Sequence, residues 1–285
     1  MTQRYGGVVS APAKLNLTLH VTARRPDGYH ELDSLVVFAA LGDRLSLAQA
    51  SGAPALRCVG PHGDDVPAGD DNLVLRAARL IGARDVAITL DKRLPVASGM
   101  GGGSSDAAAT LKLLAQAQGL SLPDTQVLMG LGADLPVCLQ APHPCRMQGL
   151  GERLSPVVDL PALALVIVNP GVPLSTPAVF KALESPENPP MPATLPAWAD
   201  QGELCDWLGG MRNDLQDPAC TLVPQIGEVL DAIARQPGCL LARMTGSGAT
   251  CFGIFADSAR ANDARAALAR PGWFCAETQT AHRAT

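Results

Sequence analysis

A glycine-rich stretch at residues 95–109 carries the residue types that bind phosphate. Its sequence is PVASGMGGGSSDAAA, in which four of the five positions from 99 to 103 are glycine and two serines follow at once. Glycine lets the backbone take conformations that other residues avoid. A short apolar run at 86–90 predicts a preceding strand, and helix-forming residues follow from Asp106. Strand, loop and helix start in this order would aim backbone N–H groups and the positive end of a helix at one point, which favours a phosphate.

This phosphate interpretation has an alternative, because a Gly-Ser loop before a helix is also typical of a flexible connector or a tight helix entry. The better-known phosphate loops are excluded. The chain contains neither GxxxxGKS nor GxxxxGKT, and the GxGxxG spacing fails because Ser104, Ser105 and Asp106 follow the glycines. The HRD and DFG triplets of protein kinases are also absent. A nucleotide held here must therefore be held by another scheme.

Composition indicates a globular protein of one large domain or two ordinary ones. Of the 285 residues, 47% are hydrophobic and 17% charged, and the net charge of −5 argues against a protein that coats nucleic acid. The longest apolar run, Leu160–Val168, is too short to cross a bilayer, and Met1–Tyr5 lacks the apolar core of a signal peptide. Eight cysteines without CxxC pairs or metal-ligand spacing predict neither disulfides nor zinc. We therefore expect a cytoplasmic protein.

The N-terminal segment Val8–Val21 predicts a half-buried strand. From Ala13 onward apolar and polar residues alternate, which sends Lys14 and Asn16 to the face opposite the core. Because lysine is scarce in this chain, its setting is informative. Plain solvent exposure is the alternative to a functional role for Lys14.

A turn and a second strand follow, with two ring side chains at their junction. Arg24–Gly28 has proline and glycine placed for a reversal, and Tyr29–Phe38 predicts the returning strand. Tyr29 and His30 lie where the turn ends. They are either structural or a pair that stacks on a base and hydrogen-bonds to it.

Asp134 is a carboxylate set against apolar neighbours. A short helix beginning after Asp124 is expected to end at 130–134, and Leu135–Leu139 continues as a buried segment. An aspartate at such a junction is often a cap or turn residue, so this role stays open beside a functional one.

The composition shifts near Ser155, which predicts domains at 1–155 and 156–285. The second half alternates strands and helices in an order typical of an α+β domain, with the turn Thr245–Gly248 between two strands. Residues 185–196 hold five prolines and are expected to form a mobile loop.

Seven segments together resemble the GHMP kinase superfamily. They are Pro12–Asn16, Asp27–His30, Pro95–Ala108, Gly132–Pro136, Thr176–Phe180, Asn213–Asp214 and Thr245–Ala249. The resemblance implies an α+β fold of two domains: an N-terminal β-α domain like that of a ribosomal protein, and a C-terminal α+β domain with an antiparallel sheet.

The resemblance also implies that ATP, with Mg²⁺ bridging its phosphates, phosphorylates an alcohol on a small molecule. Lys14 and Asp134 match the catalytic pair: Asp134 orients the hydroxyl or takes its proton, and Lys14 stabilises Asp134 and the transferring phosphoryl group. No metal ligand is assigned. The residues expected to wrap the ATP phosphates are Pro95, Val96, Ala97, Ser98, Gly99, Met100, Gly101, Gly102, Gly103, Ser104 and Ser105.

Within the superfamily, the matching segments resemble the branch whose acceptor carries cytidine diphosphate. Tyr29 and Phe180 would then sandwich the cytosine, His30 would hydrogen-bond its edge, and Asn16 and Thr176 would lie near the acceptor alcohol. No membrane or nucleic acid partner is implied, and the protein is expected to be a monomer or weak homodimer.

Two departures and three alternatives accompany this resemblance. Met100 stands where leucine is common, and Asn169–Gly171 replaces a His-Pro-Gly segment. A kinase of the homoserine or mevalonate type is one alternative, although its acceptor has no base to stack on Tyr29, His30 and Phe180. A non-catalytic nucleotide-binding protein is another, which the presence of both Lys14 and Asp134 disfavours. RNA binding is the weakest because the chain is acidic.

Overall fold

The computed structural model describes residues 7–67 and 69–281. The expectation made for Met1–Tyr5 lies outside these residues. The chain divides into two compact units that are not contiguous in sequence. Among the described residues, the first unit holds 7–13, 42–97 and 101–141, and the second holds 14–41, 98–100 and 142–281. The predicted domains at 1–155 and 156–285 therefore stay a prediction.

Two strands contribute residues to both units, namely β1 (Val8–Asn16) and β3 (His30–Gln49). The other elements of the first unit are β4 (Ala55–Val59), α1 (Leu73–Leu80), β5 (Val86–Asp91), α2 (Gly102–Gln118), α3 (Thr125–Leu131) and α4 (Leu135–Cys138). Strand β5 pairs antiparallel with the end of β3 and parallel with β4. Apolar residues of β5, α1 and α2 form the core of this unit, with Ile88 and Leu111 fully buried. This core fixes the two ends of the glycine loop, because the loop connects β5 to α2.

Besides its parts of β1 and β3, the second unit contains three short strands and a four-stranded sheet. Its further elements are β2 (His20–Arg24), β6 (Cys145–Gly149), β7 (Arg153–Pro156), β8 (Ala164–Asn169), α5 (Thr176–Lys181), α6 (Gln201–Gly209), α7 (Gln216–Leu222), α8 (Gln225–Ala234), β9 (Cys239–Met244), β10 (Cys251–Phe255), α9 (Ser258–Leu268) and β11 (Phe274–Gln279). The four-stranded sheet has the order β11-β8-β10-β9 and is antiparallel throughout. Helices α8 and α9 pack on it around buried Val166, Ile233 and Phe255. The predicted α+β architecture with an antiparallel sheet is confirmed.

Several element boundaries differ from the sequence prediction. The strand predicted at Tyr29–Phe38 is longer in the structure, because β3 continues through Gly42 as far as Gln49. At Gly42 a Cβ atom would clash with the backbone of Ala11, so only glycine allows this passage. Near residue 224 the chain forms two helices rather than one, because Pro224 separates α7 from α8. The stretch around Gly149 is the turn between β6 and β7.

The predicted strand Val8–Val21 is interrupted, and both of its faces are buried. Strand β1 ends at Asn16 and β2 begins at His20. Between them the hydroxyl of Thr18 accepts the N–H of Leu35 at 2.8 Å, and the Ser34 hydroxyl donates to the Thr18 carbonyl at 2.5 Å. Side chains thus replace ladder hydrogen bonds at this point, and the polar face becomes an interior surface.

The proline-rich loop at 185–196 is hydrogen-bonded to other parts of the second unit. The N–H and side-chain amide of Asn188 both donate to the Val21 carbonyl, each at 3.1 Å. Further along, the Asp33 carboxylate accepts the N–H of Met191 at 3.0 Å. The buried Arg146 guanidinium pairs with Asp33 at 2.6 Å and donates to the carbonyls of Met191, Pro192 and Ala193. One buried ion pair therefore anchors this loop.

None of the helices among the described residues is long and apolar enough to span a bilayer.

Removing the Arg146 side chain should strongly destabilise the protein. Arg146→Ala leaves the Asp33 carboxylate buried without its counter-ion, and breaking such a pair from one side costs about 3–5 kcal/mol. Urea unfolding of the variant and the parent protein measures this loss of free energy. Arg153→Ala is the control, because the Arg153 side chain is 62% exposed and should change stability by no more than about 0.5 kcal/mol. Equal unfolding midpoints for the two variants would contradict the anchoring role.

Candidate active site

The glycine loop has the backbone that its composition predicts. Ala97, Gly99 and Gly101 have φ angles of 52°, 79° and 64°, in the left-handed region that glycine takes without strain. Gly101 is the N-cap of α2, a 17-residue helix whose first N–H groups have no intrahelical acceptor. Free N–H groups and the positive end of a helix dipole at this point favour an anion.

Helix α2 begins at Gly102, four residues earlier than the sequence analysis placed its start. Ser104 and Ser105 consequently lie in its first turn rather than in the loop. The Ser105 hydroxyl donates to the Pro12 carbonyl at 2.8 Å, and its N–H donates to the Gly101 carbonyl at 2.8 Å. Ser105 therefore has both of its donors in use. Ser104 lies beside the Asp134 segment, since its hydroxyl is 3.5 Å from where a Cβ on Gly132 would stand.

A cavity of about 360 Å³ opens beside the glycine loop in the first unit. Its apolar walls include Val66, Leu73 and Val96, and its polar walls include Asn72 and Lys92. Sequence reasoning missed this cavity. Asn72 also caps helix α1, because its Oδ1 accepts the N–H of Val74 at 2.9 Å. An apolar cavity with a few polar groups next to the glycine loop has the lining that a nucleoside needs.

A buried ammonium between two carboxylates forms one wall of the cavity. The Nζ of Lys92 lies 2.6 Å from Asp43 and 2.8 Å from Asp106. The other Asp43 oxygen accepts the N–H groups of Arg93 and Leu94, so Asp43 is fully bonded. Within the described part of the chain, Oδ1 of Asp106 is buried and has no hydrogen-bond partner. The Asp106 carboxylate is therefore less well stabilised by hydrogen bonds than the Asp43 carboxylate.

These surroundings shift two pKa values. Burial raises the pKa of Asp106 to about 7, although the nearby Lys92 ammonium opposes this shift. Burial lowers the pKa of Lys92, but the carboxylates of Asp106 and Asp43 outweigh it, so the pKa is raised overall. The cluster thus keeps its ammonium charged and holds a carboxyl group that titrates near neutral pH. The scarcity of lysine was the one sequence signal that could have drawn attention to Lys92.

Lys14 and Asp134, the predicted catalytic pair, belong to different units. Lys14 is 3% exposed, which excludes the solvent-facing alternative, and its N–H donates to the Met100 carbonyl at 2.9 Å. Burial raises the pKa of the nearby Cys145 thiol to about 11, and the Lys14 ammonium opposes this shift. Asp134 is half-buried at the N-cap of α4, where its carbonyl accepts the N–H of Cys138 at 3.0 Å.

The predicted acceptor residues Asn16 and Thr176 both contact the Thr245–Gly248 turn in the second unit. The Asn16 N–H donates to the Thr245 hydroxyl at 2.8 Å, and the Thr176 hydroxyl is 2.7 Å from that of Ser247. The Asn16 side-chain amide donates to another hydroxyl, but its Oδ1 is buried without a partner among the described residues. An unpaired buried acceptor is costly unless a ligand supplies a donor.

The three ring residues predicted to hold a base are only partly arranged for it. The rings of His30 and Phe180 stack with centroids 4.8 Å apart and an angle of 21° between their planes. Tyr29 is 65% exposed. Burial lowers the pKa of His30, and the charge of Arg24 lowers it further, so its imidazole is neutral at pH 7. Because His30 covers one face of Phe180, a sandwich between Tyr29 and Phe180 requires either the other face or a movement of His30.

Comparison with known proteins places this arrangement in a family. The model of the GHMP kinases N terminal domain matches residues 72–141, which include the glycine loop, much of the cavity wall and Asp134. The model of the GHMP kinases C terminal domain matches residues 194–272, which include the Thr245–Gly248 turn. A 4-diphosphocytidyl-2-C-methyl-D-erythritol kinase from Cereibacter sphaeroides is 55% identical over 267 residues, covering 93% of this chain and 95% of that protein.

The chain belongs to the 4-diphosphocytidyl-2-C-methyl-D-erythritol kinases, a family of GHMP kinases. A crystal structure of a 4-(cytidine 5'-diphospho)-2C-methyl-D-erythritol kinase superposes with a TM-score of 0.77 at 31% identity and covers 97% of this chain and all of the other. A mevalonate kinase from L. major superposes with a TM-score of 0.70 at 15% identity, covering 100% and 99% of the two chains, which shows a shared fold alone. The predicted GHMP kinase fold is thereby confirmed, and the chain is a small-molecule kinase by family.

Replacing Asp106 with Asn should change how stability of this GHMP kinase depends on pH. The folded pKa of about 7 lies above the ordinary carboxyl pKa of 3.8, so the folded state holds a proton that the unfolded state releases between these values. The contribution of Asp106 to the stability of the parent protein should therefore fall as pH rises from about 4 to about 7. Asp106→Asn removes that loss, and its Tm minus the parent Tm should increase between pH 5 and pH 8.

Thermal unfolding across this pH range measures the difference, with Asp231→Asn as the control because its carboxyl is 73% exposed. A Tm difference that stays constant with pH would show that Asp106 is ionised throughout.

Proposed function

We propose that this GHMP kinase transfers the γ-phosphoryl group of ATP to the tertiary 2-hydroxyl of 4-diphosphocytidyl-2-C-methyl-D-erythritol. The products would be ADP and the 2-phosphate, a step of non-mevalonate isoprenoid biosynthesis. The observation that carries this proposal is the 55% identity with the Cereibacter sphaeroides kinase over nearly the full length of both chains. The ring residues His30 and Phe180 support it, since an acceptor carrying cytosine gives them a role.

The ATP-binding assignment is supported by the loop and the cavity beside it. The N–H groups at the start of α2 suit the phosphates, and the apolar walls at Val66, Leu73 and Val96 suit a nucleoside. Asn72 and Lys92 offer polar groups toward it. Ser105 would support the loop from behind, because both of its donors are already used.

Mg²⁺ bound to ATP would neutralise the phosphate oxygens and withdraw charge from the transferring phosphoryl group. Among the described residues no cluster of three or more His, Cys, Asp or Glu side chains could hold a metal ion. Magnesium commonly keeps water and phosphate oxygens as ligands, so the fit is to a nucleotide-bound ion rather than to a protein cage.

In the proposed reaction Asp134 would accept a hydrogen bond from the acceptor hydroxyl and orient it toward the γ-phosphoryl group. Lys14 would stabilise the charge on Asp134 and on the transferring group. A carboxylate beside an ammonium is a weak base for an alcohol, so orientation and electrostatics would contribute more than proton abstraction. Its burial makes Lys14 effective, because an ammonium interacts more strongly where water is excluded.

Recognition of the acceptor would use the second unit. The Oδ1 of Asn16, which has no partner among the described residues, would accept a hydroxyl hydrogen of the methylerythritol portion, and Thr176 would lie near the same portion. The neutral imidazole of His30 would both donate to and accept from the edge of cytosine, with Phe180 and Tyr29 on its faces. We further propose that the protein is a cytoplasmic monomer or weak homodimer that binds neither nucleic acid nor a membrane.

An acceptor panel distinguishes this function from that of another GHMP kinase. ADP release from Mg-ATP would be measured with the diphosphocytidyl substrate, free methylerythritol phosphate, homoserine and mevalonate. We expect turnover only with the diphosphocytidyl substrate, because the other three lack the base. Turnover restricted to homoserine or mevalonate would refute the proposal, and nucleotide binding without any turnover would indicate a non-catalytic protein.

Asp134→Asn should lower kcat by about 10²- to 10⁴-fold, because the amide neither takes the hydroxyl proton nor carries the charge that orients it. Binding of a non-hydrolysable ATP analogue, measured by calorimetry, should be unchanged. The matched control is Asp124→Asn, since Asp124 is also an aspartate at a helix N-cap and makes no side-chain capping bond. Near-normal turnover in Asp134→Asn would remove this residue from the reaction.

A further inference from the structure

The motif residue Asn213 has no role in the function described so far. It lies between α6 and α7, is 7% exposed and is bridged to Leu19 through the backbone. The Leu19 N–H donates to the Arg212 carbonyl at 2.9 Å, and the Asp214 N–H donates to the Leu19 carbonyl at 2.8 Å. The backbone of Asn213 is thus held independently of its side chain.

The Asn213 side chain makes three hydrogen bonds that fix its orientation. Its Nδ2 donates to the carbonyl of Met244 at 2.8 Å and to that of Gly246 at 2.9 Å. Its Oδ1 accepts the N–H of Leu215 at 3.0 Å. Because two acceptors face one end of the amide and a donor faces the other, a flipped amide would lose all three bonds. The two carbonyls flank Thr245, so this one side chain holds the start of the Thr245–Gly248 turn.

That turn has little freedom to move without disturbing the residues proposed to contact the acceptor. It supplies the Thr245 hydroxyl to the N–H of Asn16 and the Ser247 hydroxyl to Thr176. It also meets the central part of the glycine loop with no space for a side chain. A Cβ on Gly99 would overlap the Gly248 carbonyl oxygen.

The carbonyl group of Gly99 likewise lies close to the backbone of the turn. A Cβ on Gly246 would lie 2.8 Å from the Gly99 carbonyl oxygen. Next to this contact, the Thr250 hydroxyl and N–H both donate to the Ser98 carbonyl, at 2.5 and 3.3 Å. A shift of the turn would therefore be transmitted directly to residues 98–100 of the loop.

We propose that Asn213 is a positioning residue for phosphoryl transfer, whose side-chain amide sets the Thr245–Gly248 turn and through it Asn16, Thr176 and the centre of the glycine loop. This inference rests on the proposed function. Near the reacting atoms, a displacement of about 1 Å can cost about 100-fold in rate. Asn213 thus acts on kcat without touching either substrate.

The test uses Asn213→Ser. A serine hydroxyl can still accept the Leu215 N–H, as in an ST turn, but it is too short to reach the carbonyls of Met244 and Gly246. The matched control is Asn188→Ser, because the Asn188 amide also donates to two backbone carbonyls, those of Val21 and Ser185. Both variants would be assayed well below their unfolding midpoints.

We expect Asn213→Ser to lower kcat by about 10- to 100-fold at saturating substrates, with KM for ATP changed by less than about threefold. KM for ATP should change little because the cavity that suits the nucleoside belongs to the first unit and is not lined by residues 98–100. Asn188→Ser should keep kcat within about twofold. Equal kcat values for the two variants, or a loss in Asn213→Ser that merely follows its unfolded fraction, would overturn the proposal. Failure of Asn213→Ser to fold would also overturn it in favour of a purely structural role.

Hydrogen exchange provides a readout that does not depend on activity. Amides at 98–100 and 245–248 should exchange about tenfold faster in Asn213→Ser than in Asn188→Ser or the parent protein. If the parent protein phosphorylates none of the acceptors, the proposed function fails and this exchange comparison still decides the role of Asn213. Unchanged exchange at both segments would refute the positioning role.

Discussion

A buried ammonium ties together the elements that carry the glycine loop. Lys92 follows β5, Asp43 lies on β3 and Asp106 lies in the second turn of α2, so one cation joins two strands to the helix that ends the loop. Burying three ionisable groups costs free energy, and the short contacts offset that cost only while the spacing is kept. Gly102 adds to this constraint, because a Cβ there would lie 3.1 Å from the ammonium. The loop is therefore fixed at its helical end by charge and by close contact.

In the second unit, polar side chains do the corresponding positioning. Where strands end, hydrogen bonds between side chains and the backbone replace the regular hydrogen bonds between strands. The residues that form them are Asn16, Thr245 and Asn213. Each such bond is modest in free energy, but a buried polar group left without a partner is expensive. The Oδ1 of Asn16 is an exception in the described chain, and Asn16 is one of the residues that we propose to contact the acceptor. Unsatisfied polarity at this point is consistent with a site that a ligand completes.

Local signals made much of the fold predictable. The caps at Asn72 and Gly119, the strand at 86–90 and the glycine loop all follow from short stretches of sequence, and the structure has them. The Lys92 cluster was not predictable, because its partners lie 49 and 14 residues away and sequence spacing does not encode that proximity. The burial of Lys14 was not predicted because alternating apolar and polar residues indicate a strand with one face in solvent. In the structure both faces of this strand are covered near Lys14. The catalytic and substrate roles came from resemblance and remain proposals.

The stacked rings of His30 and Phe180 have a consequence for how a base would be chosen. The imidazole already occupies a face of the phenyl ring, so a base that used that face would replace one stacked pair by another. Such an exchange adds little net contact area, and every nucleobase offers a similar aromatic face. Discrimination between pyrimidines would therefore come from the donor and acceptor pattern along the edge of the base. The rings would therefore stack on any nucleobase, and the hydrogen bonds to its edge would determine which base binds most tightly.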